Sequence, residues 1–510
     1  MLAFIGRRIS LALLILFGST YLTYQLAAYS GDPLAGVRES TDPKKEVIIA
    51  ELTKTLQLDV PPPARYFLWL QKALGLATGT PDFGNTVILR LPVADQIAAA
   101  IPITLRLVTT ATILSVVIGI SFGVLSAIRQ YSRLDNSLTL LSFFLFSLPI
   151  FWIAVMLKEF MAIRFNDFLV NPTIDIWANV LISAVIAVIV AGFVSGTRKR
   201  VLITWGSTFA LLTTLLGVAS ATAWFRYPVM GIFGVAVLGI ACSLGFTNIF
   251  SGFGNKKALG AGLASVGLGL VAYYPFQQLA GPGTNYELMI ALAVLMLSSS
   301  YFIGYFFTKI DKGPVIRVSM LSGFMVALFT VVDKLMQTWD AYFALSDGRP
   351  IQTQGSYNIT ITSNDFWVNN LDLVTHLFLP TTALALGFAG YLRYSRASML
   401  EVLNMDYIRT ARAKGMPERE VVLRHAVRNA MLPLTTLLTF EVAGLIGGAI
   451  ITEGIFGWRG MGSLSNEAIQ SQDLNLLMAT FAISAFLTVM ATLVADLLYS
   501  VLDPRIRIRK

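Results

Sequence analysis

Of the 510 residues, 55% are hydrophobic and 13% charged, about half the charged share usual in soluble domains, which excludes a water-exposed fold for most of the chain. The net charge of +9 does not point to nucleic acid, because the basic residues fall between apolar runs and not on one polar face; placed so, they set membrane topology. The single cysteine, Cys242, lies in an apolar run, excludes an internal disulfide, and reads as a small buried hydrophobe.

At the N-terminus, Arg7 and Arg8 precede an apolar run from Ile9 to Ala28. At roughly 20 residues this run suits a retained first span better than the short apolar part of a cleaved signal. Further apolar windows of about that length follow at 100–128, 136–158, 176–196, 201–224, 228–249, 258–276, 287–308, 315–336, 377–394, 431–452 and 477–501. Together they predict twelve membrane-spanning helices and an all-α, polytopic membrane protein. The window at 258–276 contains LGAGLASVGLGL, whose small residues permit close helix packing.

Loop charges test this count independently. Lys and Arg collect in alternate loops: Arg129 and Arg133; Arg198, Lys199 and Arg200; Lys256 and Lys257; Lys309, Lys312 and Arg317; the stretch after Met405; and the terminal DPRIRIRK. Both termini are therefore expected on the cytoplasmic side, with an even number of spans. Two long segments, 30–99 and 338–375, fall outside the membrane and are polar and rich in turn residues. They are large enough to meet a delivered substrate or a partner, or only to order the spans.

Several chemistries have no basis in the sequence. There is no G-x-x-x-x-G-K-[ST], so ATP is not hydrolysed here by a P-loop. His376 and His425 are far apart and there is one cysteine, which leaves no His/Cys metal cluster. No G-x-S-x-G or H-E-x-x-H occurs, and nothing argues for a membrane enzyme.

Between the tenth and eleventh windows stands DYIRTARAKGMPEREVVLRHAVRNAMLPL, residues 406–434. Asn404 or Asp406 can cap a short helix running to Lys414, and Gly415 supplies a left-handed stop. Pro417 with Glu418 and Glu420 restarts a helix in the polarity that its dipole favours. Ile408, Ala411, Val421, Val422 and Val427 give both pieces one apolar side. Such a basic amphipathic loop reads either as a membrane-surface anchor or as a knob that docks on another protein and moves the adjoining spans. Ala411, Ala413 and Gly415 are small enough for close approach.

This stretch resembles the EAA loop of ABC importer permeases, in the form used by the B-type subunit of the dipeptide/oligopeptide/nickel family. Arg409, Thr410 and Ala411 occupy the E-A-A places and Gly415 that of the loop glycine; the acidic residue of the name is absent, and Pro433 lies further downstream than in the short consensus. Other blocks stand in family order: GDP (31–33), LDVPPPARYFLWL, DFG (82–84), IPITLRL, SLPIFW (147–152), the run from His376 to Tyr407, GGAIITEGIFGWRGMG and LLYSVLDPR. They cover roughly 1–165 and 372–510.

The resemblance implies a six-span type I ABC importer permease core, carrying about six inserted transmembrane helices. The implied divisions are 1–165, the first half of the core with its extracytoplasmic segment 30–99; 170–340, the inserted bundle; and 341–510, the second half with the coupling loop at 401–433. It implies a pore-forming subunit of an ATP-driven importer in a prokaryotic cytoplasmic membrane, with peptides as the default substrate, although the same frame also moves nickel chelates, opines, glutathione or oligosaccharides. Implied partners are a homologous C-type permease, two ATP-binding subunits that bind ATP and Mg, an extracytoplasmic solute-binding protein and membrane lipids. The chain itself would hold no cofactor or metal and would not be an enzyme. Arg409, Thr410, Ala411, Arg412, Ala413, Lys414 and Gly415 would dock on the ATPase. The inserted bundle reads as a peripheral scaffold, or as a docking surface for another subunit or a lipid.

Candidate charges at membrane depth are Arg106 in the second window, Glu441 in the eleventh and Asp496 in the twelfth; their cost suggests function. Arg106 and Glu441 either face a translocation cavity and touch a peptide's termini, or pair with each other or snorkel. TEGIFGWRGMGSLSNEAI, 452–469, by resemblance is a re-entrant or receptor-facing loop near an outer gate, where Phe456 and Trp458 would border the pathway; alternatively its aromatics are interfacial anchors. The competing function is an independent secondary transporter with twelve spans. That class predicts repeats between halves, and none is seen between 1–255 and 256–510.

Overall fold

The structure is a computed structural model that describes residues 2–34, 38–39, 43–75, 80, 82–87, 90–194, 197–309, 312–361, 363–431, 433–434 and 449–502. It is 80% helical, with no strand among the described residues. In chain order the helices are α1 (Leu2–Ser30), α2 (Lys45–Thr55), α3 (Pro62–Ala73), α4 (Val93–Ile128), α5 (Arg133–Ser147) and α6 (Ile150–Leu157). A π-helical turn (Lys158–Ile163) leads to α7 (Arg164–Val170), followed by α8 (Ile176–Phe193), α9 (Arg198–Ala221), α10 (Gly231–Phe250), α11 (Lys256–Leu279), α12 (Tyr286–Phe307) and α13 (Lys312–Leu345). The chain continues through α14 (Phe366–Ala385), α15 (Phe388–Leu403), α16 (Asp406–Ala413) and α17 (Glu418–Glu420) into a second π turn (Val421–Ala426); α18 (Ile450–Phe456), α19 (Met461–Gln470) and α20 (Leu474–Leu502) complete it.

Eight helices among the described residues are long and apolar enough to cross a membrane. The expected third and tenth spans are not straight. The pair α5 and α6–α7 bends by 98°, and the pair α14 and α15 by 45°. The first break has a local cause. Pro149 has no N–H and disfavours helix at the residue before it, and Leu148 is extended, with ψ 127°. The twelfth window is α20, whose described apolar part is the shorter Leu474–Met490. The eleventh, 431–452, lies mostly outside the described residues.

Contacts divide the chain into two compact units: Met1–Leu157, Gln354–Ser356 and Leu379–Lys510 in one; Lys158–Thr353 and Tyr357–Phe378 in the other. In the first unit α4 packs along α15. Ala111, Ser115, Gly119 and Gly123 recur every four residues on one buried face of α4. A Cβ on Gly119 would stand 2.8 Å from the Phe388 carbonyl oxygen, and one on Gly123 2.6 Å from that of Leu392. At that approach hydroxyls reach the opposing backbone: Ser115 donates to the Ala385 carbonyl (3.2 Å) and Ser395 to that of Gly119 (3.3 Å). At the end of the pair, buried Asp135 accepts two bonds from Arg396, at 2.8 and 2.9 Å, and further ones from the Ser126 hydroxyl and the Tyr131 N–H. All the acceptor capacity of a buried carboxylate is thus used, which is the condition for tolerating it.

Tyr24, Tyr66, Trp69 and Phe83 form a second core of this unit with Met461, Leu464 and Leu476. Gly84, at φ +78°, turns the DFG segment so that Asp473 can accept the Val87 N–H at 2.6 Å while capping α20 through the Leu476 N–H at 3.0 Å.

The second unit holds a pair, α8 with α9, and a four-helix group, α10–α13. Close contacts again depend on small residues. Gly262 lies against Ser243, Val318 and Ser322; Gly304 is 2.7 Å, from its Cβ position, to the Ile316 Cα. Between helices that gain nothing by hiding from lipid, such packing is the main attraction. Ser265 and Ser319 share a 2.7 Å hydrogen bond, and Ser319 donates to the Ser300 carbonyl at 2.6 Å. Fully buried Asp333 on α13 accepts from the Met230 and Gly231 N–H groups, the Tyr273 hydroxyl and Gln337. It thereby satisfies the start of α10, where Gly231 is left-handed and no side chain of its own can cap. Each buried donor left without an acceptor costs about 1–3 kcal/mol. Asp333→Leu is therefore expected to reduce sharply the folded protein recovered by size-exclusion in detergent, and Asp333→Asn to fall between it and the parent.

α9, α11 and α13 open on Arg198, Lys256 and Lys312. A helix dipole favours acid there. The helix dipole thus does not account for the cations at these three starts.

Candidate functional site

α16 is built from one turn-closing device and two anchors. Gly415 is left-handed, φ +75°; its N–H reaches the Arg412 carbonyl (2.9 Å) and the Met416 N–H that of Ala411 (3.4 Å). These two bonds form a Schellman stop, as the glycine predicts. The helix start differs from expectation. Met405, extended at ψ 150°, precedes the helix without a side-chain cap. Asn404 instead ends α15 and donates to the Leu400 carbonyl (2.9 Å), while Asp406 is the first helical residue. Asp406 still benefits from the dipole at the N-terminus.

Ile408 and Ala411 are buried in a cluster with Met399 and Val402 of α15, Ala127 of α4, and Val421, Val422 and Ala426 of the π turn. Arg409, Thr410, Arg412, Ala413, Lys414 and Gly415 are exposed. Arg412 is committed in part to its own chain: it forks onto Glu418 at 2.6 and 3.0 Å across the Gly415–Pro417 turn. The guanidinium holds the Glu418 carboxyl below the usual carboxylate range. With a depressed folded pKa, the pair's contribution is present at neutral pH and is lost as pH falls through the carboxyl range. Both side chains are substantially exposed, so that contribution is at most about 1 kcal/mol. What remains is a short helix with its apolar side fixed on the ends of α4 and α15 and its basic side presented outward.

The second element is the hairpin of α18 and α19. Gly457, φ +62°, stops α18 in the same manner as Gly415: its N–H reaches the Gly454 carbonyl (3.4 Å) and the Trp458 N–H that of Glu453 (2.8 Å). The Gly355 N–H then closes on the Phe456 carbonyl at 2.9 Å. Phe456 and Trp458, expected beside a pathway, are each 1% exposed and pack inside this unit. Arg106 is exposed on α4. Glu441 lies outside the described residues, and Asp496 falls in α20. Sequence reasoning passed over Glu453, which is fully buried and ties the hairpin to α4. Its signal was an acid inside an otherwise apolar and glycine-rich block. No group of three or more His, Cys, Asp or Glu residues placed to hold a metal occurs among the described residues.

Residues 314–508 match the family described as Binding-protein-dependent transport system inner membrane component. The oligopeptide transport system permease protein OppB of Mycobacterium tuberculosis is 39% identical over 186 residues, 36% of this chain and 55% of that protein. AppB, an oligopeptide transport system permease protein of Bacillus subtilis, is 46% identical over 139 residues (27% and 44%), and the dipeptide transport system permease protein DppB of Escherichia coli 44% over 143 (28% and 42%). The chain thus spans about half the length of these relatives. Residues 314–508 therefore resemble that transport family, and the chain is similar over part of its length to dipeptide and oligopeptide permeases.

Proposed function

We propose that this chain is the pore-forming permease subunit of an ATP-driven importer of peptides in a prokaryotic cytoplasmic membrane. It forms half of the pathway with a homologous C-type permease. Two ATP-binding subunits supply ATP hydrolysis with Mg, and an extracytoplasmic solute-binding protein delivers the substrate; both termini face the cytoplasm. The carrying observation is α16, a helix whose apolar side is seated on α4 and α15 and whose cationic side is exposed, its Arg409 and Arg412 held only in solvent-exposed ion pairs with Asp406 and Glu418. Arg409 to Gly415 fit a groove on an ATPase, whose closure is transmitted to the two long helices behind. Arg106 and Glu441 border the substrate pathway, and Phe456 and Trp458 fix the hairpin beside it. The permease core comprises 1–165 and 341–510, and 170–340 is an inserted scaffold; contacts divide the chain after Leu157, near the first of these boundaries, and group most of 341–378 with the insert.

Recovery of the tagged chain in mild detergent, followed by mass spectrometry of what accompanies it, tests the proposal. ATP-binding chains and a second permease are expected with the parent. With Gly415→Pro, whose ring cannot adopt φ +75°, combined with Arg412→Glu, which faces Glu418 with like charge, the ATPases are expected to be lost and the second permease kept. A parent that is recovered alone and stable overturns the proposal in favour of an independent transporter.

A further inference from the structure

We infer that Glu453 and Thr104 form a latch that makes the outer hairpin and the docking helix move as one body. The inference rests on the permease reading and adds positioning residues to it. Glu453 Oε1 accepts the Thr104 hydroxyl at 2.6 Å, Oε2 accepts the Ser463 N–H at 2.9 Å, and Thr104 Oγ1 in turn accepts the Met461 N–H at 2.8 Å. One carboxylate therefore closes the α18–α19 hairpin on itself and pins it to α4. The space around it is filled: a Cβ on Gly460 would overlap both Glu453 Oε1 and Thr104 Oγ1, and one on Gly462 would stand 2.7 Å from the Ile450 Cα. Burying this acid is costly, and closing a hairpin alone does not require it, since Gly457 and the backbone already turn the chain.

The position of Thr104 supplies a reason for that cost. From Thr104 to Gly119 and Gly123 α4 rises by about 22 and 28 Å at 1.5 Å per residue, most of the thickness of a bilayer core. There it meets α15 backbone to backbone, and α15 ends at Leu403, just before α16. The hairpin, α4, α15 and docking helix are thus joined by contacts that leave little slack. Through the latch, a load on the outer hairpin is felt at the ATPase surface.

The test uses the complete reconstituted complex and measures ATP hydrolysis with and without the co-recovered solute-binding protein loaded with a tripeptide mixture. In Thr104→Val and in Glu453→Met, which has the length of the acid but no oxygen to accept the hydroxyl, assembly and basal hydrolysis are expected to match the parent, while stimulation by the loaded binding protein falls about fivefold or more. Thr104→Ser is expected to restore stimulation. In stimulation, the double variant is expected to be no worse than either single one, because each already breaks the one contact between the two residues. Unchanged stimulation in both single variants overturns the inference, as does loss of assembly in Thr104→Val, which would make the contact merely structural. A parent complex with no ATP-binding chains overturns the permease reading itself, and the latch with it.

Discussion

Leucine in place of Gly123 is expected to abolish peptide uptake by cells expressing the complete system. Its Cβ alone would overlap the Ser395 hydroxyl and stand 2.6 Å from the Leu392 carbonyl oxygen. Backbone cannot yield as a flexible side-chain tip can, so α4 and α15 must separate. Overpacking of this kind costs about 1–3 kcal/mol, and more when backbone has to shift. The separation also breaks the serine–carbonyl bonds along the seam and draws α4 off the floor of α16. The effect is thus expected in three measurements: uptake at background, a lower thermal midpoint in detergent, and weaker recovery of the ATPase partners. Gly18→Leu is the matched control. Nothing lies within 4 Å of the Cβ position there, and uptake is expected to equal that of the parent. Uptake retained by Gly123→Leu would remove the rigid α4–α15 seam from the mechanism.

Ile408→Asp is expected to uncouple the permease without unfolding it. Ile408 is fully buried among aliphatic side chains, and a carboxylate there would have no cation in its cluster. The charge is avoided by undocking α16. Eight residues do not hold a helix alone in water, so the undocked segment loses its shape as well as its place. Transport and ATPase recovery are both expected to fall to background, while the thermal midpoint of the remaining core stays near that of the parent. Ile408→Val removes one methyl at about 0.5–1.5 kcal/mol and is expected to transport. ATPase recovery by Ile408→Asp equal to that of the parent would show that the apolar seat of α16 is dispensable.

Periodicity and spacing made much of this legible. Apolar windows located most of the spanning helices because lipid imposes a length. Gly415 located the end of α16 because glycine adopts the left-handed conformation of a helix stop at the least cost. The breaks were less legible: Pro149 was visible, but whether a proline kinks a helix or ends it is decided by what packs against both sides. Pro102 and Pro380 lie inside helices, whereas Pro149 sits at a 98° bend. The caps at Asn404 and Asp406 failed for a related reason. α15 runs on to Leu403, which takes Asn404 into its own end and leaves Met405 to start the next helix. Buried acids were the least legible. Asp135, Asp333 and Glu453 each depend on donors remote in sequence, Arg396, Tyr273 and Thr104 among them, and one chain read alone does not reveal those pairings.

The division of labour within α16 bears on how related transporters stay separate in one cell. Only Ile408 and Ala411 of its eight residues are buried, and its end is fixed by backbone bonds at a glycine. Of the outward-facing positions, Arg409 and Arg412 make exposed ion pairs with Asp406 and Glu418, which contribute little to the fold. On the docking role proposed for α16, these positions can change to follow a particular ATPase, or to reject the ATPase of a neighbouring system, with little loss of foldability. Cross-talk between parallel importers can thus be tuned by surface substitutions on two turns of helix, while the spans behind them stay as they are.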